Sequence, residues 1–288
     1  MITVCSFIKL ENDYIDEWLS YHISIGVDKF IIVDNNDGRE DYPMTDYAIT
    51  EANRKKVRFI NKRNLKLDKN REMVEMYQMC SEGWVVFLDI DEFIELNGFS
   101  SINEWLSQQK FRDAANVRTD VISYGDNDIV QCNGNHMVRS RFTKISRKSS
   151  KFNNEVKAFI RAGIPNIKTL DDRGIRARGT KTVGVNGEEQ PVNCVNYDFE
   201  DLSEVYIAAY PTKSLEEFCM TKIGRNKNFD EAMVDKYKED YFAVNKKTKE
   251  KEEMFTYYIN KRYFKDEKHY GMHSYANVYF GNGKSSDA

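Results

Sequence analysis

The sequence predicts an α/β protein organised on a mostly parallel central sheet flanked by helices. Three observations carry that expectation. The first 90 residues alternate strand-like and helix-like patterns. The strand-like runs are mostly apolar, as suits strands covered by helices on both faces. The chain has 288 residues and 41% hydrophobic content, enough for one large core with at most a small appendage.

Each element has its own signal. "ITVCSFI" (2–8) is β-rich and unbroken by Gly or Pro. In "ENDYIDEWLSYHISIG", Ile15, Trp18, Leu19, His22 and Ile23 recur at helical spacing, with Asn12 or Asp13 as the expected cap and Gly26 as the stop. "KFIIVDNND" reads as a second strand ending in a polar loop. "TDYAITEANRKK" reads as a helix and "VRFIN" as a third strand. "KNREMVEMYQMC" places Met73, Met76, Tyr77 and Cys80 on one helical side, and "WVVFLDI" is the fourth strand. Beyond it, "SINEWLSQQ" is helical, "NVRTDVISYGDND" is a strand running into a polar loop, and residues 130–200 mix short strands with loops. "EVYIAAY" is a strand, and the helix after Pro211 is capped by Ser214, with Glu217 completing a capping box. A polar helix is expected over 230–241, "NKKTKEKEE" reads as a solvated charge run, and "MFTYYINKRYF" as an aromatic-basic helix.

Composition narrows the function classes. Charged residues make up 31% and the formal net charge is −3, so the basic excess of a nucleic-acid binder is missing. Five scattered cysteines, never spaced CxxC, read as buried thiols in a reducing compartment. No apolar run reaches the ~18–20 residues of a membrane span, and the N-terminus does not read as a signal peptide. The expected setting is cytoplasmic, with peripheral contact to the inner face of a membrane.

The chemistry concentrates in "VVFLDIDEFIEL" (85–96), where a buried run ends in Asp89, Asp91 and Glu92. Ligands of open α/β sheets bind beyond the carboxyl ends of the strands. Two carboxylates held close there need a proton or a cation to offset their repulsion. Mg²⁺ or Mn²⁺ suits such oxygen ligands and commonly bridges to phosphate. The structural alternative is an Asp-capped turn.

"CSFIKLENDYIDEWLSYHISIGVDKFIIVDNND", "WVVFLDIDEFIEL" and the later "YPTKSLEEFCMTKIGR" together resemble the family 92 and family 2-like group of glycosyltransferases. The resemblance covers about the first hundred residues and a short block near 210. It implies a GT-A fold, a UDP-sugar donor, a glycan or lipid-linked glycan acceptor, and inversion in one displacement. It also implies Mn²⁺ or Mg²⁺ held by Asp91 and Asp89, with Asp89 reaching the metal, ribose or donor sugar. Glu92 and Glu95 are then outer or solvated acids. The group's pattern has a His where this chain has Ala209, which removes one expected ligand of metal or diphosphate. Residues 1–225 would be the catalytic domain, 1–100 its donor half and 101–225 its acceptor half. Residues 226–280 would be a helical appendage and 281–288 a disordered tail.

Position along the chain adds further candidates. Lys9, Glu11 and Asn12 lie just after the first strand, where GT-A enzymes hold base and ribose; Asp34, Asn35 and Asn36 end the second. Lys69, Asn70 and Arg71 open a helix, whose N-terminus favours diphosphate. Lys213 and Lys222 are cations for the same group. Asp126 and Asp128, with Glu155 behind them, are candidates for the general base of an inverting transfer. Each has an ordinary reading as a cap, an Asx turn or a solvated charge. His269 and His273 are four apart, with Gly271 between them and no third ligand in view. The overall expectation is a metal-dependent hexosyltransferase of bacterial surface polysaccharide synthesis. Its rivals are a phosphohydrolase of the haloacid dehalogenase type and a non-catalytic nucleotide-sugar binder.

Overall fold

The computed structural model describes residues 1–36, 49–134, 137–146, 155–177, 179–190, 203–223 and 232–260. The expected α/β class is observed. The first part runs β1 (Ile2–Ile8), α1 (Ile15–Ser24), β2 (Lys29–Asp34), α2 (Glu51–Arg54), β3 (Val57–Asn61), α3 (Lys69–Gln78) and β4 (Trp84–Phe87). The strands lie in the order β3-β2-β1-β4, all parallel. Their carboxyl ends therefore share one edge. Side chains alternate between two cores: Ile2, Val4, Trp84 and Val86 face one layer, and Cys5, Val85 and Phe87 the other, against Met73, Met76 and Tyr77 of α3.

The second part turns the sheet mixed. It comprises β5 (Glu92–Leu96), α4 (Ile102–Leu106), β6 (Asn116–Ser123), α5 (Val138–Arg141), β7 (Val156–Arg161), the short β8 (Leu170–Asp171), β9 (Gly174–Ile175) and β10 (Thr182–Val183), and β11 (Val205–Ala209). The order continues β4-β7-β6-β11-β5. β7 runs antiparallel to β4 and β6, so its start meets the end of β4. β6 and β11 are parallel, and both end on the edge where β1, β2 and β4 end. β5 closes the sheet antiparallel to β11.

The outer backbone of β5 is covered by α1 side chains rather than by another strand. Trp18 Nε1 donates to the Glu92 carbonyl at 2.8 Å and the Tyr21 hydroxyl to that of Ile94 at 2.7 Å, while Ile94 N–H donates to His22 Nε2 at 3.4 Å. His22 Nδ1 lies 2.8 Å from the Trp18 carbonyl. These contacts require a neutral ring, and burial holds the His22 pKa down at about 3.

Several local expectations are corrected. Asn12 does not cap α1; Tyr14 holds that position without a side-chain bond, and Asn12 accepts from Asn36 Nδ2 instead. The helix expected over 45–56 is described only as Glu51–Arg54, capped by Thr50. The Ser214 capping box is present at α6 (Leu215–Glu217), which passes into a π-helical turn, Phe218–Ile223. α7 (Ala232–Val244) and α8 (Lys249–Ile259) pack Tyr241 and Phe255 against Phe218. The "NKKTKEKEE" run is not wholly solvated, because Lys251 is 4% exposed. No helix among the described residues is long and apolar enough to cross a membrane. Cys194, His269, His273 and the tail expected over 281–288 lie outside the described residues.

Candidate functional site

Asp89 and Asp91 sit in the tight turn that joins β4 to β5. Asp89 is exposed and Asp91 is half-buried. The turn is fixed from below: Asp89 N–H donates to Glu92 Oε2 at 2.8 Å, and Tyr210 N–H donates to the Asp91 carbonyl at 2.9 Å. Glu92 is thus no solvated acid. It is buried and ion-paired to Lys157 Nζ at 3.0 Å, and Lys157 also faces Asp172 at 3.7 Å. Burial, with Asp89 and Asp91 adding to it, pushes the Glu92 carboxyl above its usual range, and the Lys157 ammonium opposes that rise. Burial disfavours the Lys157 charge, but Glu92, Asp89 and Asp172 outweigh it and raise that pKa.

Lys157 escapes the sequence reading, although "VKAFI" puts a charge inside an apolar strand. β7 starts where β4 ends, so its second residue reaches beneath the acid turn.

On the outer side, Lys213 occupies a loop position with φ of 52°, a left-handed conformation costly for a side-chain-bearing residue. Its buried ammonium lies 3.5 Å from Asp91 Oδ2, 3.7 Å from Glu11 Oε1 and 4.7 Å from the Tyr14 ring centre. Leu10, with φ of 54°, is strained on the same edge, its N–H held by Asn36 Oδ1.

A pocket of about 240 Å³ opens between the ends of β1, β2 and β4, lined by Lys9, Glu11, Asn35, Lys69 and Asp89 with Phe7 and Leu67 among its apolar walls. The structure therefore gathers five of the residues expected at a donor site.

Others are placed elsewhere. Asp34 is fully buried and turned inward: Arg63 Nε donates to its Oδ2 at 2.8 Å and Asn36 N–H to its Oδ1 at 3.0 Å. Asn35 Nδ2 ties down the Lys62 and Leu65 carbonyls. Asn70 is exposed on the first turn of α3; Arg71, exposed too, pairs with Glu75 one turn along at 2.9 Å. Neither lines the pocket. Lys222 Nζ lies 3.4 Å from the Pro211 carbonyl.

Asp126 and Asp128 come after β6 on the expected edge, but their carboxylates are engaged. Asp126 Oδ2 accepts from the Tyr241 hydroxyl and from Lys251 Nζ at 2.7 Å, and its Oδ1 accepts from Asp128 N–H at 2.9 Å. Asp128 Oδ1 takes Lys251 Nζ at 2.8 Å, and that bond holds its carboxyl below the usual range. A carboxylate so paired anchors the C-terminal helices and is a poor proton acceptor. Glu155 is exposed just before β7.

Ala209 is buried opposite Glu92 in the β11–β5 register. In the following α6, Glu217 accepts both arms of Arg141, at 2.6 and 2.9 Å, and the Tyr14 hydroxyl at 2.8 Å. Burial would raise this carboxyl, but Arg141 and Ser214 outweigh it and hold it at about 2.

Two carboxylates on one turn are a donor set that Mg²⁺ uses when phosphate oxygens complete its shell. Among the described residues no group of three His, Cys, Asp or Glu gathers for a metal.

The sequence matches no protein-family model and no curated protein. Solved structures of the galactosyltransferase LgtC align with the fold. One, a complex with donor and acceptor sugar analogs, shares 15% identity over 41% of this chain and 46% of that one, with a TM-score of 0.23. Another, an active-site mutant, shares 11% identity over 88% of this chain and all of that one, with a TM-score of 0.29. The chain thus spans less than half of the first of these structures.

Proposed function

We propose that the protein is a glycosyltransferase of GT-A architecture that transfers a hexose from a UDP-sugar to a glycan acceptor, with Mn²⁺ or Mg²⁺ bound at Asp89 and Asp91. One observation carries the reading. The acid turn closes a central strand directly beside a pocket lined by Lys9, Glu11, Asn35, Lys69 and Asp89. Acids alone would repel a diphosphate, and cations alone would hold it without a metal. Their meeting at the carboxyl edge of a parallel sheet suits a nucleotide diphosphate sharing a divalent cation.

The residues divide the work. Asn35 and Glu11 offer amide and carboxylate partners to base and ribose. Lys9 and Lys69 offset phosphate charge. Asp89 and Asp91 would hold the metal, which when bound offsets charge on the leaving diphosphate. Glu92 and Lys157 keep the Asp89 turn in place from beneath. Inversion and a role in surface polysaccharide synthesis rest on the family resemblance alone, and the cytoplasmic setting on the scattered cysteines and the lack of a long apolar run in the sequence.

The test is calorimetry with UDP in the presence and absence of Mn²⁺, then turnover of a UDP-sugar panel. The expected result is metal-enhanced UDP binding that Asp91→Asn abolishes while the fold is kept. UDP binding that ignores both metal and Asp91 would remove the metal role, and absence of UDP binding would remove the reading.

A further inference from the structure

A second concavity, a groove of about 450 Å³, lies across the β5–β11 end of the sheet. Tyr206 and Tyr210 are buried in its floor, and the half-buried Tyr124 stacks on Tyr210 with ring centres 5.0 Å apart and 28° between planes. The Tyr124 and Tyr206 hydroxyls lie 3.3 Å apart. Phe142 extends the apolar wall.

The rim is polar and rigid. Arg139 donates twice to Glu95 Oε1, at 2.8 and 3.0 Å, and its guanidinium lies 3.7 Å from the Tyr21 ring centre. Both bonds land on one oxygen, so the Glu95 carboxylate keeps acceptor capacity for a further donor. Glu17, also lining the groove, accepts Val138 N–H at 2.6 Å and Arg139 N–H at 3.2 Å, which fixes the start of α5.

Charge and shape select the occupant. Two carboxylates face one guanidinium that is already paired, so an anion finds no unopposed cation. Tyrosine rings with hydroxyls, a carboxylate and a planar guanidinium offer an apolar face and in-plane hydrogen-bond partners. A pyranose presents the complement: an apolar C–H face and a ring of hydroxyls. The groove is also in the right place. Tyr210 donates its N–H to the Asp91 carbonyl, and in the continuing β11–β5 register Tyr206 stands opposite Glu95. The groove thus begins beside the acid turn, on the side of the sheet away from the β1–β2 pocket.

We propose that this groove binds a neutral pyranose unit of the acceptor, with the half-buried Tyr124 stacking on the sugar over a floor of Tyr206 and Tyr210, and with Glu95 and Arg139 reading its hydroxyls. The proposal rests on the glycosyltransferase reading for the role, and on the groove alone for binding.

Ligand-observed NMR of the full chain with lactose, cellobiose, maltose and methyl α-mannoside tests it, beside UDP calorimetry on the same samples. The expected result is saturation transfer to at least one of these sugars. Tyr124→Ala and the milder Arg139→Lys should each weaken it about tenfold, with UDP affinity unchanged. UDP binding without any sugar binding, or sugar binding that ignores both variants, overturns the groove proposal and leaves the donor reading standing. Sugar binding sensitive to both variants in a chain that fails to bind UDP supports the groove and overturns the transferase reading.

Discussion

Lys251 and Lys213 are two buried lysines that each sit between two carboxylates, and they differ in tightness. Lys251 lies 2.7 Å from Asp126 and 2.8 Å from Asp128, with Tyr241 adding a hydroxyl to the same Asp126 oxygen. Lys213 lies 3.5 Å from Asp91 and 3.7 Å from Glu11, in a strained loop. The first arrangement is closed: every partner is supplied by the chain, and its effect is to fasten α8 to the end of β6. The second is open. The cation stands near both acids without a close bond to either. Left-handed backbone occurs in both clusters, at Asp128 and at Lys213, so contact distance is what separates the anchor from the looser cluster.

Removing the anchor should have the largest effect. Lys251→Met strands the Asp126 charge in the interior and should cost about 3–5 kcal/mol, read as a lower urea midpoint, while UDP affinity of the folded fraction is unchanged. A stable Lys251→Met that has lost UDP binding would invert the comparison.

The acid end is the next test. Glu217 has a folded pKa of about 2, below its ordinary 4.5. Its stabilisation is therefore complete above 4.5 and is lost as pH falls toward 2, on the order of 3 kcal/mol. Glu217→Gln should flatten the stability profile over that window. An unchanged acid limb would mean that Arg141 and Ser214 do not hold this carboxylate down.

Lys213→Met should do the opposite of Lys251→Met. On the proposed donor reading Lys213 meets the diphosphate in a charge-assisted contact of about 1.5–3 kcal/mol, so UDP affinity or turnover should fall about 10- to 150-fold. The midpoint should move less than in Lys251→Met. Equal unfolding effects in the two variants would erase the distinction between closed and open clusters.

The smallest effect belongs to Arg71. Its bond to Glu75 is an exposed pair one helical turn apart, so Arg71→Ala should cost less than about 0.5 kcal/mol and leave UDP binding unaltered. A clear loss of UDP binding would return Arg71 to the donor site, where its sequence position suggests it.

Legibility in the sequence depends on how local each signal is. The β-α alternation, the apolar runs and the Ser214–Glu217 capping box are written within a few residues, and they are where the sequence puts them. Asp89, Asp91, Lys9, Glu11 and Asn35 are legible because a sheet edge collects the residues just past each strand end. Strand ends do not say which way a side chain turns, so Asp34 misleads: Arg63, which claims it, lies beyond the next strand. Asp126 misleads for the same reason, since Lys251 and Tyr241 arrive from the far end of the chain. Lys251 does leave a trace. It shares a helical stripe with Phe255, Tyr258 and Ile259, at intervals of four, seven and eight, all four of them buried. The groove is invisible in the sequence because β11 meets β5 across a hundred residues, and only that pairing brings Tyr206 opposite Glu95.

The covering of β5 by α1 bears on how the molecule behaves in a crowded solution. An outermost strand normally offers its unpaired backbone to any neighbouring chain. Here Trp18, Tyr21 and His22 answer Glu92 and Ile94 of that backbone from one helix. The acid turn can thus lie at the border of the sheet, open to ligands, while the strand beside it gives another copy of the chain little to pair with. At this one of the sheet's two edges, accessibility to small molecules and resistance to edge-to-edge pairing are reconciled by three side chains of a single helix.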